Sequence, residues 1–163
     1  MKIIGNILPI MKTAQSFKPE MATLFFDFFI LERSLASLFD SIYSKYNLTT
    51  KQWLILAVAT HIERPTITRI AEELKTSHQN VKAIALNLER VGLVNLIQDP
   101  ADKRSTLVVG SNKLENLNKT RGTDDQDGMA LLFGEFNAQE LQDLSGYIKR
   151  LLAQIEHTKG KIK

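Results

Sequence analysis

Between Glu20 and Lys45 the chain holds no Gly or Pro, and apolar side chains recur at spacings of three and four through Phe25, Phe28, Phe29, Leu31, Leu35, Leu38, Phe39 and Ile42. That period predicts one long helix. With Phe26 and Ile30 filling the gaps, its apolar surface is wider than a single core face requires. Burial on a second side, as at a subunit interface, and a helix central to its own core both account for this. Asn47 to Thr50 supplies turn and cap residues, and Lys51 to Thr60 reads as a short, mostly apolar helix around Trp53. Past the break at Arg64 and Pro65, Thr66 to Leu74 places Ile67, Ile70, Ala71 and Leu74 on one face. Ser77 to Val91 does the same with Val81, Ile84, Ala85 and Leu88. Only Lys75 and Thr76 separate these two helices, so the chain must turn sharply between them.

Gly92 stops the second of the pair, since a residue with positive φ just past a helix end favours glycine. Leu93 to Ile97 is apolar enough for a strand, residues 99 to 104 (DPADKR) are polar with a proline at a turn position, and Thr106 to Val109 is β-branched and apolar. Strand, tight loop and strand predict a hairpin. Helix, turn, helix and hairpin in this order spell a winged helix-turn-helix, in a fold that is mainly α with a small β-hairpin wing. Beyond Gly110, Lys113 to Lys119 has helical spacing at Leu114 and Leu117. Gly122 and the cluster Asp124, Asp125, Asp127, Gly128 read as a kink or loop within a longer helical region. Asn137 to Ile155 is a clearer helix: Asn137 can cap it, Glu140 stands at the third position, and Leu141, Leu144, Ile148, Leu151, Leu152 and Ile155 form one stripe.

At 163 residues the chain is long enough to bury a core without disulfides or metals. It contains no Cys, which removes thiolate catalysis, cysteine-based zinc or iron–sulfur sites and thiol redox sensing together. The opening MKIIGNILPI imitates a signal peptide, but Gly5, Asn6 and Pro9 interrupt it, so a loose N-terminal extension and a cytoplasmic location are expected. The most apolar run, Leu24 to Leu31, is far below the ~20 residues of a membrane span and has Asp27 at its centre. Net charge is +3. It is unevenly spread, with 7 basic against 5 acidic side chains over residues 64–104 and 5 against 1 over residues 149–163. Neither excess alone identifies a nucleic-acid binder.

The helix opening at Ser77 carries the candidate chemistry. Ser77 is a good N-cap, and His78, Gln79, Asn80 and Lys82 crowd the first turns with donors and acceptors while the apolar face turns inward. Gln and Asn match adenine edges in the major groove, and Lys or His can donate to guanine. Any capped surface helix also begins with polar residues, so the hairpin is the second requirement. There, Lys103 and Arg104 stand at the tip, where an Arg could enter a narrow minor groove. Asp102 beside them reads as a support that either pairs with Arg104 or caps the turn. No P-loop, GxGxxG, GxSxG or HExxH motif is present, and the three His (His61, His78, His157) lack a metal-binding spacing. No enzymatic function, cofactor or metal is expected.

Taken together, LTTKQW (48–53), ITRIAEEL (67–74), SHQNVKAIALNLERVGLV (77–94) and DPADKRS (99–105) resemble the MarR family of bacterial transcription regulators. The most specific signals are LERxGLV closing the recognition helix and the DPxDxR wing directly after it. The resemblance implies four regions: an N-terminal extension (1–19), an N-terminal dimerisation helix (20–47), the winged helix-turn-helix (48–110) and a C-terminal helical dimerisation region with a basic tail (111–163). It implies a homodimer whose terminal helices interlock and whose two wings straddle a pseudo-palindromic operator in double-stranded DNA, with half-sites about 10 bp apart. By the same analogy Ser77, His78, Gln79, Asn80 and Lys82 fall at groove or adjacent phosphate positions and Lys103 and Arg104 on the wing. Asp102 supports the wing, and Lys51, Thr66 and Thr68 are phosphate candidates. A small aromatic effector is implied as well, with Phe26, Tyr43, Tyr46 and Trp53 in the right segments to meet it, although aromatic residues on apolar faces are more often core. The chain departs from the family at Asn87, where an Arg is common, and at Leu96 and Ile97, where basic residues are common. Both departures lower phosphate-directed charge and predict modest affinity. A repressor is the expected role. The alternative is a protein-binding winged helix that pairs with a DNA-binding relative and holds little DNA itself.

Overall fold

A computed structural model describes residues 18–162, so nearly all of the expected N-terminal extension lies outside the described residues. The described order is α1 (Pro19–Tyr43), a 3₁₀ turn (Ser44–Tyr46), α2 (Thr50–His61), α3 (Ile67–Glu73), α4 (His78–Arg90), β1 (Val94–Asp99), β2 (Asp102–Gly110), α5 (Asn112–Phe133) and α6 (Ala138–Ile162). The architecture is a mainly helical winged helix-turn-helix. Two compact units divide it, one reaching Glu115 and the other starting at Asn116.

The first unit is built on a core from α2, α3, α4 and the hairpin, in which Ile55, Ile70, Val81, Leu88, Val94 and Val108 are fully buried. α1 joins it through its C-terminal half, where Phe39 and Tyr43 are buried. Asp40 on α1 accepts both the backbone N–H and the hydroxyl of Thr50, each at 2.7 Å, which pins α1 to the start of α2. Those two bonds hold the Asp40 carboxyl below its ordinary range. Three helical segments of this unit end in the same way, with a left-handed residue closing two carbonyl bonds: Asn47 (φ 55), Lys75 (φ 51) and Gly92 (φ 76).

The hairpin runs from Val94 opposite Gly110 to Gln98 opposite Thr106, with Asp99 then pairing with Asp102. The strands are longer and the turn shorter than expected: only Pro100 and Ala101 remain outside them. Lys103, Arg104 and Ser105 therefore have no opposite number and form a bulge on β2 just behind the tip, rather than the tip itself. The opening of α5 also belongs with this unit, because Lys113 Nζ donates to Val91 O at 2.7 Å, Ser111 Oγ donates to Gly92 O at 2.7 Å and Leu114 is buried.

The second unit corrects one expectation. α5 passes through Gly122 and the Asp cluster as continuous helix. A lone glycine costs a helix only about 1 kcal/mol, and the Arg121–Asp125 pair, one turn apart at 3.3 Å, spans the stretch. α6 begins where expected, with Asn137 Oδ1 accepting Glu140 N–H at 3.0 Å and Glu140 Oε2 accepting Asn137 N–H at 2.8 Å. This is a reciprocal capping box. An apolar groove of about 730 Å³ lies between α5 and α6, lined by Met129, Phe133, Leu141, Leu144, Ile148 and Leu152.

Candidate nucleic-acid interface

The turn between α3 and α4 sets where the candidate recognition helix points. Thr66 caps α3, its hydroxyl oxygen accepting Arg69 N–H at 3.2 Å. α3 closes with Lys75 N–H on Glu72 O at 3.2 Å and Thr76 N–H on Ala71 O at 3.0 Å. The chain then re-enters helix at once, with Ser77 Oγ accepting Asn80 N–H at 3.1 Å and Asn80 Nδ2 donating to Thr76 Oγ1 at 3.0 Å. Of the five residues expected at this helix start, Ser77 and Asn80 are thus partly engaged in building the turn. His78, Gln79 and Lys82 are exposed, and their side chains have no hydrogen bond among the described residues.

Burial fixes the orientation of α4. Val81, Ala85 and Leu88 are buried, which leaves Gln79, Ala83, Leu86 and Arg90 as the ridge on the opposite side, all exposed. Reading the sequence for donors and acceptors found the N-terminal end of this ridge and missed Ala83, Leu86 and Arg90. Helical spacing from the buried positions would have located them. Asn87 is absent from the ridge: its Oδ1 accepts Gln52 Nε2 at 2.9 Å, bracing α4 against α2. Gln52 is also the capping-box residue of α2, so one side chain ties the helix start to the recognition helix.

On the wing, Asp102 caps rather than pairs with the guanidinium. Its Oδ1 accepts Arg104 N–H at 3.1 Å and its Oδ2 accepts the Ser105 hydroxyl at 2.7 Å. Those bonds, that from Ser105 foremost, hold the Asp102 carboxyl below its ordinary range. Gln98 Nε2 donates to Lys103 O at 2.7 Å from the other strand. The bulge backbone is thereby tied at both flanks, while the Lys103 and Arg104 side chains stay exposed.

A second support was invisible in the sequence. Asp99 is 1% exposed and accepts Arg64 Nη2 at 2.6 Å and Ala101 N–H at 2.9 Å. The Arg64 bond, then the Ala101 N–H, keeps its carboxyl charged below the usual range against the opposing effect of burial. Arg64 adopts φ 52 between α2 and α3 to reach it. Arg69 Nη1 donates to Glu63 O, Pro65 O accepts Val108 N–H at 2.9 Å, and Thr66 bridges to Leu107. The wing is therefore joined to the helix-turn-helix at its root. Glu89 on α4 adds a third link by accepting Leu96 N–H at 2.9 Å.

The remaining expected residues separate. Lys51 and Thr68 are exposed, but Thr66 is buried with its hydroxyl spent on the α3 cap, so it is poorly placed to meet a phosphate. Tyr43 and Trp53 stack in the core with Phe39, with Tyr43 and Trp53 centroids 5.0 Å apart and Phe39 and Trp53 6.0 Å apart. Phe26 meets Phe25 edge-on at 5.7 Å, and Tyr46 carries Lys45 Nζ 5.2 Å above its ring. The described contacts do not gather these four aromatics into one site. Among the described residues no group of three potential metal ligands is brought together, and no helix is long and apolar enough to cross a membrane.

Residues 46–105 match the sequence profile of the MarR family. No curated protein matches this chain. Among solved structures, the chain is similar to a MarR protein from Peptoclostridium difficile at 19% identity, covering 93% of this chain and 95% of that one with a TM-score of 0.76. It is similar to S. aureus MepR in a DNA complex at 17% identity, 79% and 96% coverage and TM-score 0.70. It is also similar to CouR from Rhodococcus jostii bound to p-coumaroyl-CoA at 13% identity, 78% and 90% coverage and TM-score 0.70.

Proposed function

We propose that this MarR-family winged-helix protein is a homodimeric, sequence-specific DNA-binding transcription regulator acting as a repressor. The observation that carries the reading is the pairing, within one unit, of an exposed polar start to α4 with a wing bulge whose backbone Asp102 and Gln98 hold in place around Arg104. Recognition helices present N-terminal side chains to base edges, and an inserted Arg reads a narrow minor groove. His78, Gln79 and Lys82 are the available readers, with Asn80 contributing the part of its amide not held by Thr76. Lys51, Thr68 and Lys103 are the phosphate contacts. The MepR structure supports the DNA partner.

The homodimer is supported by apolar surface left open in each unit. On α1, Leu24, Phe25, Phe29, Ile30 and Leu31 are at least half exposed. On α5 and α6, Leu131 is 82% and Tyr147 64% exposed beside the open groove. Contiguous apolar surface on this scale marks an association site. A second copy covers it with the same faces, as twofold symmetry requires, and the regions 20–47 and 111–163 supply the dimer contacts. The CouR complex supports control by a small molecule.

The test is a gel shift of the purified protein on its own upstream region and on random duplex across a salt series, with light scattering for mass. A dimer that prefers the upstream DNA, and loses that preference by about 1–3 kcal/mol in Arg104→Ala, supports the proposal. Equal affinity for both duplexes at low salt overturns it. Capture of a distinct DNA-binding partner under those conditions would instead favour a protein-binding winged helix, a reading motivated by the exposed Ile97 on the wing.

A further inference from the structure

The outward ridge of α4 is not uniformly polar. Leu86 is 49% exposed at its middle, with Ala83 next to it, and is flanked by Gln79, Lys82 and Arg90. The buried positions Val81, Ala85 and Leu88 fix this side of the helix away from the core, so about half of the Leu86 surface is left open. Leu86 stands seven residues beyond Gln79 on the same ridge, about 10 Å along the helix axis at 1.5 Å per residue. A helix that seats Gln79 against one base edge in the major groove therefore turns Leu86 toward base edges further along the same groove. The apolar feature that the major groove offers there is the 5-methyl of thymine. Asn87, the neighbouring polar side chain, cannot compete for the position, because Gln52 holds it against α2.

Resting on the DNA-binding reading above, we infer that Leu86, backed by Ala83, is a specificity-determining residue that reads thymine through its 5-methyl group. The contact is apolar and carries no charge. It selects for thymine over cytosine without contributing to the phosphate-driven, salt-dependent part of binding.

The experiment uses the full chain and the duplex that it selects from a random-sequence library, with each thymine replaced in turn by deoxyuridine, which deletes only the methyl. The expected result is one thymine per half-site whose replacement weakens binding about fourfold, the equilibrium equivalent of burying one methyl-sized group. Leu86→Ala should weaken binding to the thymine duplex by a similar factor, lose all sensitivity to that deoxyuridine and keep the wild-type salt slope. Leu86→Met should retain the sensitivity. Because Leu86 is half exposed, both variants should remain folded, with Leu86→Met melting close to wild type and Leu86→Ala slightly below it. A deoxyuridine effect of equal size in wild type and Leu86→Ala would overturn the inference while leaving specific binding intact. The wild-type scan alone overturns it if no thymine in either half-site matters. Failure to select any sequence over random duplex would overturn the DNA-binding reading, and this inference with it.

Discussion

Lys75 occupies a backbone conformation that suits glycine, and replacing it tests the account of the helix-turn-helix corner. Its φ of 51 closes α3 by the Lys75 to Glu72 and Thr76 to Ala71 bonds, and a side chain in that left-handed region costs about 1–2 kcal/mol. Lys75→Gly removes this cost. Glycine gives back about 0.7 kcal/mol through the greater freedom of the unfolded chain, and loss of a cation beside the end of α3 gives back about 0.3 kcal/mol. The net expectation is stabilisation by about 0.5 kcal/mol, a rise in melting temperature of about 1–2 °C. Lys75→Ala keeps the strain and should be neutral to slightly destabilising, and Lys75→Val should be worst because a β-branched side chain fits the region least. Arg64 has nearly the same φ of 52 but neutralises buried Asp99, so Arg64→Gly should lower the melting temperature despite relieving equal backbone strain. Calorimetry of the four variants and wild type checks the order. A Lys75→Gly protein that melts below wild type, or an Arg64→Gly protein that gains as much as Lys75→Gly, would rule out left-handed strain at Lys75 as the dominant effect.

Other expectations follow from single features. Asp99 and Asp102 are held below the ordinary carboxylate value of 3.8, so the order that they confer on the wing is fully present above that value and is lost as pH falls through the lower folded-state pKa. Wing amide shifts of Ala101 and Arg104 should thus be flat from about pH 8 to about pH 5 and move only in stronger acid; a midpoint at or above 3.8 would contradict this. Ile70 is 0% exposed in the core beneath the corner, and Ile70→Ala should cost about 2–5 kcal/mol in chemical denaturation. Asn137→Ala should cost about 1 kcal/mol by removing one half of the α6 capping box, with Asn137→Asp retaining most of the stability. Trp53, the sole tryptophan, is stacked on Tyr43 and Phe39 with its Nε1 buried and unpaired among the described residues. Its emission should be blue-shifted in the native protein and move red on unfolding, and a native spectrum already at the exposed position would count against the stack.

Features closed by near neighbours are legible in the residues alone. Ser77 and Asn137 each bond a backbone N–H three residues on, and such contacts form whenever the local helix forms, so a cap residue before an apolar-periodic run is enough to read them. The order of helices and the hairpin followed from periodicity for the same reason. At Gly122 and its Asp cluster the expected kink or loop is absent, because the surrounding turns of α5 outweigh the cost of about 1 kcal/mol that a lone glycine imposes.

What anchors the wing depends instead on how distant segments pack together. Arg64 and Asp99 are 35 residues apart, as are Gln52 and Asn87. No spacing rule joins them, because their meeting depends on how α2, α4 and the hairpin stack on the shared core. The same packing turned Thr66 inward and put Tyr43 and Trp53 into an aromatic stack. A polar or apolar letter says what a residue can do; the side of the element that the core occupies settles what it is free to meet.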